Sequence, residues 1–195
     1  MHNQNVIWNT FRYGDETAFK IIFDQFYDQL YNYGHKFTID TFIIEEALQD
    51  LFVKLWKNKD NLGETGSVKN YLYKAFRRVL LRKLDYAPRL QLFAGSDENV
   101  PFMIEPGHDN SLIQSEGLAE IRLKLVQALE KLSPRQREII HLRYYEELEY
   151  EEIAGIMQLS VSGTYKLLYR AVDSLKAHFT PLEWIAVISL LALKK

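Results

Sequence analysis

A chain of 195 residues with 47% hydrophobic and 13% aromatic content, nine glycines and five prolines has the composition of a soluble, mainly helical protein of one or two domains and excludes a low-complexity chain. The absence of cysteine excludes disulfides and thiolate metal sites and fits a reducing compartment. A net charge of −2 gives no overall attraction to nucleic acid, so such a role must rest on local charge distribution.

The first residues, Asn3, Gln4, Asn5 and Arg12 around a short apolar patch, do not form a signal peptide, and a cytoplasmic location is the default expectation. Asp15-Glu16-Thr17-Ala18-Phe19 opens the first clear helix, in which Phe19, Ile22, Phe23, Phe26, Tyr27 and Leu30 recur at helical spacing until Gly34. After a break at Thr38 to Thr41, Leu48, Leu51, Phe52 and Leu55 form the buried stripe of a second helix. Glu45, Glu46, Gln49 and Asp50 share its opposite side, with Lys54 at the end. An acidic and amide face of this kind suits docking on a basic partner helix; plain solvation accounts for the same pattern.

Lys69, Lys74, Arg77, Arg78, Arg82, Lys83 and Arg89 then stand against the single acid Asp85, interleaved with Tyr71, Tyr73, Phe76 and Tyr86. Cations at this density suit a phosphate backbone. Exposed aromatics suit bases that have left the duplex, where stacking contributes roughly 1–3 kcal/mol per base. A solvated basic helix with core tyrosines is the plainer alternative, and several of these aromatics belong in a core either way.

From Gly95 to Gly117 the texture changes to Gly, Ser, Pro and Asn with the acids Asp97, Glu98, Glu105, Asp109 and Glu116 and no Lys or Arg, the composition of a mobile acidic linker. Beyond it, Ser133-Pro134-Arg135-Gln136 supplies an N-cap, a proline at the first helical position and a Gln three residues past the cap. Ile139, Ile140 and Leu142 of that helix face a core. Tyr150 to Met157 forms a short helix with Ile153, Ala154 and Met157 inward, and Leu159-Ser160-Val161 makes a tight turn. The last helix of the set, roughly 162–177, buries Leu168, Ala171, Val172 and Leu175 and leaves Tyr165, Lys166, Tyr169, Arg170 and Asp173 outward. This is the grammar of a helix-turn-helix whose second helix enters the major groove. Ser162, Tyr165, Lys166 and Tyr169 stand on the base side and Arg170 is better placed for phosphate. An ordinary helical hairpin with a solvated face has the same pattern.

Thr180-Pro181 restarts a helix that runs into an apolar tail far short of the ~20 residues that span a bilayer. Three readings of the tail stand side by side: packing on the preceding domain, a docking strip for an inhibitory protein, and weak membrane association. The histidines His2, His35, His108, His141 and His178 are scattered, and there is no HExxH, phosphate loop or nucleophile elbow. No catalytic residue, metal site, cofactor or small-molecule substrate is therefore expected.

Taken in order, these pieces resemble the extracytoplasmic-function sigma factors of the sigma-70 family over about nine tenths of the chain. Gly14-Asp15-Glu16-Thr17-Ala18-Phe19 is similar to the family's start of domain 2, and Glu46-Ala47-Leu48-Gln49-Asp50-Leu51-Phe52-Val53-Lys54-Leu55-Trp56 to its polymerase-docking helix. Tyr71-Leu72-Tyr73-Lys74-Ala75-Phe76-Arg77-Arg78 resembles the helix that melts and reads the minus-ten element, and Leu132-Ser133-Pro134-Arg135-Gln136-Arg137-Glu138 the opening of domain 4. The resemblance implies an all-α protein of two small helical domains: region 2 over residues 1–94, a linker over 95–118, region 4 over 119–180 and a hydrophobic tail over 181–195. It implies core RNA polymerase, promoter DNA and an anti-sigma factor as partners. It places polymerase binding on Glu46, Gln49, Asp50, Lys54 and Trp56, docked on a basic coiled coil of the largest subunit. Minus-ten binding falls to Lys69, Tyr73, Lys74, Arg77, Arg78 and Arg82, and minus-thirty-five binding to Ser162, Tyr165, Lys166, Tyr169 and Arg170. The linker would thread the polymerase channel otherwise taken by RNA. Where the family commonly has basic residues this chain has Tyr165 and Leu167, which points to aromatic or apolar contact with thymine methyls. A stand-alone helix-turn-helix repressor is the competing reading; it would more often carry a ligand pocket or dimer helix in the N-terminal half.

Overall fold

The computed structural model describes residues 2–86, 100–104 and 116–192, and the described residues are helical with short connections. They divide into two compact units, 1–100 and 101–195.

The first unit is built from four helices: α1 (His2–Arg12), α2 (Glu16–His35), α3 (Thr41–Lys57) and α4 (Val68–Tyr86). Each of the last three starts where a short polar side chain captures an orphan amide. Asp15 accepts from the Ala18 amide at 2.7 Å, Asp40 from Phe42 at 3.1 Å, and Ser67 from Asn70 at 3.1 Å. Gly14, at φ +92°, makes the turn from α1 into α2, a conformation that side chains rarely adopt. Helix α1 is an addition to the sequence expectation, which saw only an apolar patch there. It buries Trp8 and Phe11, and the Trp8 indole donates to the Gly63 carbonyl at 3.1 Å, tying α1 to the loop between α3 and α4.

The core lies where α2, α3 and α4 meet. Ile22, Phe26, Leu30 and Tyr33 of α2 meet Ile44, Leu48, Leu51 and Leu55 of α3 and Leu72, Tyr73, Phe76 and Leu80 of α4, all buried. Each such side chain contributes roughly 1.5–3 kcal/mol when fully buried. The stripe anticipated for α2 is only half core: Phe19, Phe23 and Tyr27 are half-buried and line a surface groove instead. At Gly34 the helices come closest. A Cβ there would stand 2.9 Å from Ile44 Cγ2 and 3.1 Å from Phe76 Cζ.

The second unit contains α5 (Glu116–Glu130), α6 (Pro134–Ile140), α7 (Tyr150–Met157), α8 (Val161–Lys176) and α9 (Pro181–Ala192). The expected capping box is present: Ser133 accepts from the Gln136 amide, and the Gln136 side chain accepts from Ser133 N at 2.9 Å. Helix α6 runs into a π-helical turn, His141–Tyr145, which widens the helix by one residue and buries His141 5.6 Å from the Phe102 ring. Helices α7 and α8 form the helix-turn-helix. Gln158, at φ 55°, ends α7 in the left-handed region, and Ser160 caps α8 through the Gly163 amide at 3.0 Å. Leu168, Ala171 and Leu175 face inward as expected, while Val172 is only half-buried.

One expectation is corrected, and one of the three readings of the tail is favoured. Within the segment read as a mobile linker over 95–118, Phe102 and Ile104 are buried, and α5 begins at Glu116. The apolar residues at 102 and 104, two apart in an extended segment, fall on one side and pack, a signal outweighed in the sequence by the surrounding acids. The acids at 97, 98, 105 and 109 lie outside the described residues. The tail, for its part, forms α9 and packs on α5 and the π turn, with Val187 and Leu191 buried. No described helix is long and apolar enough to cross a membrane.

Helix α9 is fixed by a capping box of its own. Thr180 N donates to Glu183 at 2.7 Å, and the Glu183 amide donates to Thr180 Oγ1 at 3.3 Å. Lys124 of α5 reaches the same carboxylate at 2.8 Å. The Lys124 hydrogen bond, then those from Thr180, hold the Glu183 carboxyl down from 4.5 to about 2. A carboxyl depressed in the folded state favours folding above its ordinary value and loses that contribution as pH falls through the window. Amide protection factors in α9 should therefore decline between pH 4.5 and about 2, ahead of those in α2. In Glu183→Gln they should be lower at neutral pH and lack this step; an α9 as acid-resistant as α2 would contradict the assignment.

Gly34→Ala should lower the unfolding free energy of the first unit by about 1–2 kcal/mol in urea titrations. Overpacking against the fully buried Ile44 and Phe76 outweighs the helix propensity gained, about 1 kcal/mol. Unchanged or raised stability would show that this contact is not tight.

Candidate functional site

The outer side of α3 carries two ridges. Glu45, Gln49, Val53 and Trp56 follow one another at helical spacing and flank a groove floored by Phe19, Phe23 and Phe52. The groove has a volume of about 440 Å³. Its rings are in close contact, Phe19 with Trp56 at 5.1 Å and Phe23 with Phe52 at 4.8 Å. Lys59 lies 4.7 Å over the Trp56 ring. An apolar floor with Glu45, Gln49 and Lys57 on its rim has the form of a groove that takes the apolar face of an amphipathic helix.

The second ridge is Glu46, Asp50 and Lys54, each four residues on, and it leans toward α4. Lys83 of α4 bridges Glu46 at 3.3 Å and Asp50 at 3.1 Å. Burial alone would pull the Lys83 ammonium down, but the hydrogen bonds it donates to Asp50 and Glu46 outweigh it and raise it. The docking face expected as one acidic surface is thus split. Gln49 and Trp56 stand at the groove, whereas Glu46 and Asp50 are half-buried and already hold an internal cation. Lys83, anticipated among the DNA-facing cations, is turned to α3.

Lys54 is the third residue of this ridge and lines a different cavity, about 320 Å³, between α3 and α4. Leu51 and Leu55 form its apolar side, Tyr71 its aromatic wall, and Arg78 and Arg82 its cationic rim; Asn58 and Leu62 close it from the loop. The Tyr71 ring meets the Trp8 ring at 5.0 Å in a tilted arrangement, and burial raises its phenol above the ordinary value. Asn58 and Leu62 were absent from the residues picked by sequence, and Tyr71 was named among the interleaved aromatics but not among the residues assigned to minus-ten binding. The helical register finds Tyr71, since 71, 75, 78 and 82 share one face of α4, but a loop residue such as Leu62 is placed only by the tertiary structure.

The same register corrects two candidates. Tyr73 and Arg77 are fully buried and so cannot touch a strand lying on the surface; Lys74, Arg78 and Arg82 are exposed. Residues 73, 76, 77, 80 and 84 form the core-facing stripe of α4, and 74, 78 and 82 lie on the opposite side. Tyr73 meets Tyr33 at 5.1 Å, and Lys69 sits 5.4 Å over the Tyr73 ring. Of the six residues assigned to that helix, Tyr73 and Arg77 thus lie in the core, and Lys69, Lys74, Arg78 and Arg82 reach the surface.

In the second unit Ser162, Tyr165, Lys166, Tyr169 and Arg170 are all exposed along α8. Ser160 caps the first turn of α8 by accepting from the Gly163 amide at 3.0 Å, which fixes the start of this exposed face. Among the described residues no cluster of His, Asp or Glu could hold a metal ion.

Residues 22–88 match the family described as sigma-70 region 2, and residues 122–175 match sigma-70, region 4. The chain is 23% identical over 169 residues to the ECF RNA polymerase sigma factor SigW of Bacillus subtilis (strain 168), covering 84% of this chain and 89% of that protein. It is 24% identical over 157 residues to SigM of the same organism, covering 80% and 91%. The RNA polymerase sigma factor YlaC, also from that strain, is 26% identical over 162 residues, covering 82% and 90%. Among solved structures, CnrH in complex with the cytosolic domain of CnrY superposes with a TM-score of 0.60 at 17% identity, covering 89% of this chain and 95% of that one, a likeness of fold. With both sigma regions in order and matching relatives across most of their length, the chain belongs to the extracytoplasmic-function group of sigma-70 family sigma factors.

Proposed function

We propose that this sigma factor divides its work among three surfaces. The groove between α2 and α3 takes a basic helix of core RNA polymerase, with Gln49 and Trp56 in contact and Glu46 and Asp50 acting at one remove, by holding Lys83 and so fixing α4 against α3. The cavity between α3 and α4 takes an unstacked base of the melted minus-ten strand: Tyr71 offers a stacking wall, and Lys54, Arg78 and Arg82 hold the flanking phosphates, with Lys69 and Lys74 along the approach. The exposed face of α8 reads the minus-thirty-five duplex. Residues 1–94 serve the first two tasks and 119–180 the third, and the acidic segment between them runs through the polymerase channel otherwise taken by RNA. The chemistry of transcription belongs to the polymerase.

The observation that carries this reading is the segregation of charge and aromatics on the α3–α4 pair. An apolar groove with Glu45, Gln49 and a single cation, Lys57, at its rim lies on one side, and a cavity with three cations, Lys54, Arg78 and Arg82, and an aromatic wall lies on the other. A stand-alone repressor would have no task for either surface. An anti-sigma factor is a further partner in this reading, as the CnrH fold is held in complex with the cytosolic domain of another protein. The place of action is the cytoplasm, where polymerase and promoters meet.

Run-off transcription with host core polymerase separates the surfaces. Gln49→Lys should abolish core binding and transcripts together. Arg78→Ala with Arg82→Ala should leave core binding intact, lower open-complex formation, and reduce the slope of log affinity against log salt by roughly 1.4, two single-strand phosphate contacts at about 0.7 each. Charge reversal at Glu46 or Asp50 would repel Lys83 and is expected to loosen α4 as well as docking. Wild-type protein that binds promoter duplex unaided and yields no polymerase-dependent transcript would favour the repressor.

A further inference from the structure

Tyr165 is fixed by side chains that lie outside its own helix. It stands on the second turn of α8 with 49% of its surface exposed, and its ring stacks on Tyr150, the first residue of α7, with centroids 3.9 Å apart and planes 22° from parallel. Arg143 continues the series, its Cζ 5.0 Å from the centroid of the Tyr150 ring. Arg143 is itself anchored: Nη1 donates to the Leu148 carbonyl at 2.8 Å and lies 3.3 Å from Glu149 Oε2. It comes from the π-helical turn, where one extra residue per turn re-aims the side chain toward α7. Tyr169, one turn further along α8, is 72% exposed, and among the described residues no ring stacks on it.

An exposed tyrosine sampling several rotamers must lose that freedom on binding, and it offers a groove no defined edge. The stack removes that cost in advance. A tyrosine ring stacked on one face offers apolar C–H edges beside its hydroxyl, and the one base that presents an apolar group in the major groove is thymine, through its C5-methyl. We propose that Arg143 and Tyr150 are positioning residues for promoter reading: they hold the Tyr165 ring so that its outer edge meets one thymine methyl of the upstream duplex element, and discrimination at that base pair depends on the stack. The inference rests on α8 being the duplex-reading helix.

The test uses holoenzyme assembled from the full chain and host core polymerase, and promoter duplexes in which each thymine of the upstream element is replaced singly by deoxyuridine. Wild-type holoenzyme should lose about fourfold in affinity at one position, the equivalent of one buried methyl. Tyr165→Ala, Tyr150→Leu and Arg143→Gln should each bring that factor close to one while leaving the other thymines as they were; Tyr165→Phe, which keeps the ring, should retain it. Tyr150→Leu combined with Tyr165→Ala should lose no more than either alone, because the two act as a unit. A merely structural role for Tyr150 would instead weaken binding at every position alike. Should Tyr150→Leu fail to fold by circular dichroism, Arg143→Gln, which leaves both rings in place, carries the same readout. A methyl effect that Tyr165→Ala removes but Tyr150→Leu and Arg143→Gln preserve would overturn the proposal, as would the absence of any methyl effect in a holoenzyme that still prefers the upstream element over scrambled DNA. A holoenzyme with no such preference would instead remove the reading of α8 itself.

Discussion

The approach of α2 to α3 and α4 at Gly34 is the constraint on which the first unit depends. With no side chain at that point, Ile44 and Phe76 come within reach of the α2 backbone, and three helices share one core instead of forming separate pairs. The inner face of each helix is thereby committed to packing, and the outer ridges are left for partners. Helix α3 shows the consequence most directly. Leu48, Leu51, Phe52 and Leu55 are buried, and the two remaining ridges point to different neighbours, one toward the α2 groove and one toward α4. The surfaces assigned to polymerase and to DNA are a single helix diameter apart because they are two sides of the same helix pair. The Lys83 bridge to Glu46 and Asp50 sits at the border between them. As a partly exposed ion pair it contributes little to stability; its value is in holding register between α3 and α4.

The second unit solves a different problem, that of presenting a short helix to a duplex without letting it move. Gln158 and Glu147 occupy left-handed conformations at the two ends of α7, each at a cost of order 1–3 kcal/mol that the surrounding packing must offset. Ser160 and Glu149 cap the helices that follow these turns. The Arg135 guanidinium donates to the Met157 carbonyl at 3.2 Å and so ties α6 to the end of α7. Beneath them the π turn, Phe102 and α9 complete the core. The apolar tail is in this sense half structural: Val187 and Leu191 are inward, while Leu182, Ile185 and Ile188 remain exposed.

What could be read from sequence was what depends on local spacing. The helix start at Asp15, the capping box at Ser133, the stripe of α3 and the inward set of α7 follow from neighbouring residues and were legible. So were the exposed residues of α8, since helical periodicity alone sorts them. Tyr73 and Arg77 were misassigned because a run of cations was treated as one surface, although the four-residue spacing of 74, 78 and 82 against 73, 77 and 80 already separates two faces. An arginine at a core position defeats the binary pattern, and only the surrounding structure reveals it. Lys54 looked like the end of a docking face and proved to belong to the α4 cavity, since which helix lies beside a ridge is a tertiary fact. The π turn, the packing of Phe102 and the Arg143–Tyr150–Tyr165 stack join residues that no short-range pattern connects. Helix α1 was missed because a scattering of amides hid a two-residue core contribution, Trp8 and Phe11.

The central claim is that opposite sides of the α3–α4 pair meet different partners, and photo-crosslinking in an open promoter complex tests it most directly. A photoreactive amino acid placed at Gln49 should crosslink to the largest polymerase subunit and not to DNA, and one placed at Arg82 should crosslink to the non-template strand across the minus-ten element. Crosslinks from both positions to the same partner, or the reverse assignment, would contradict the account.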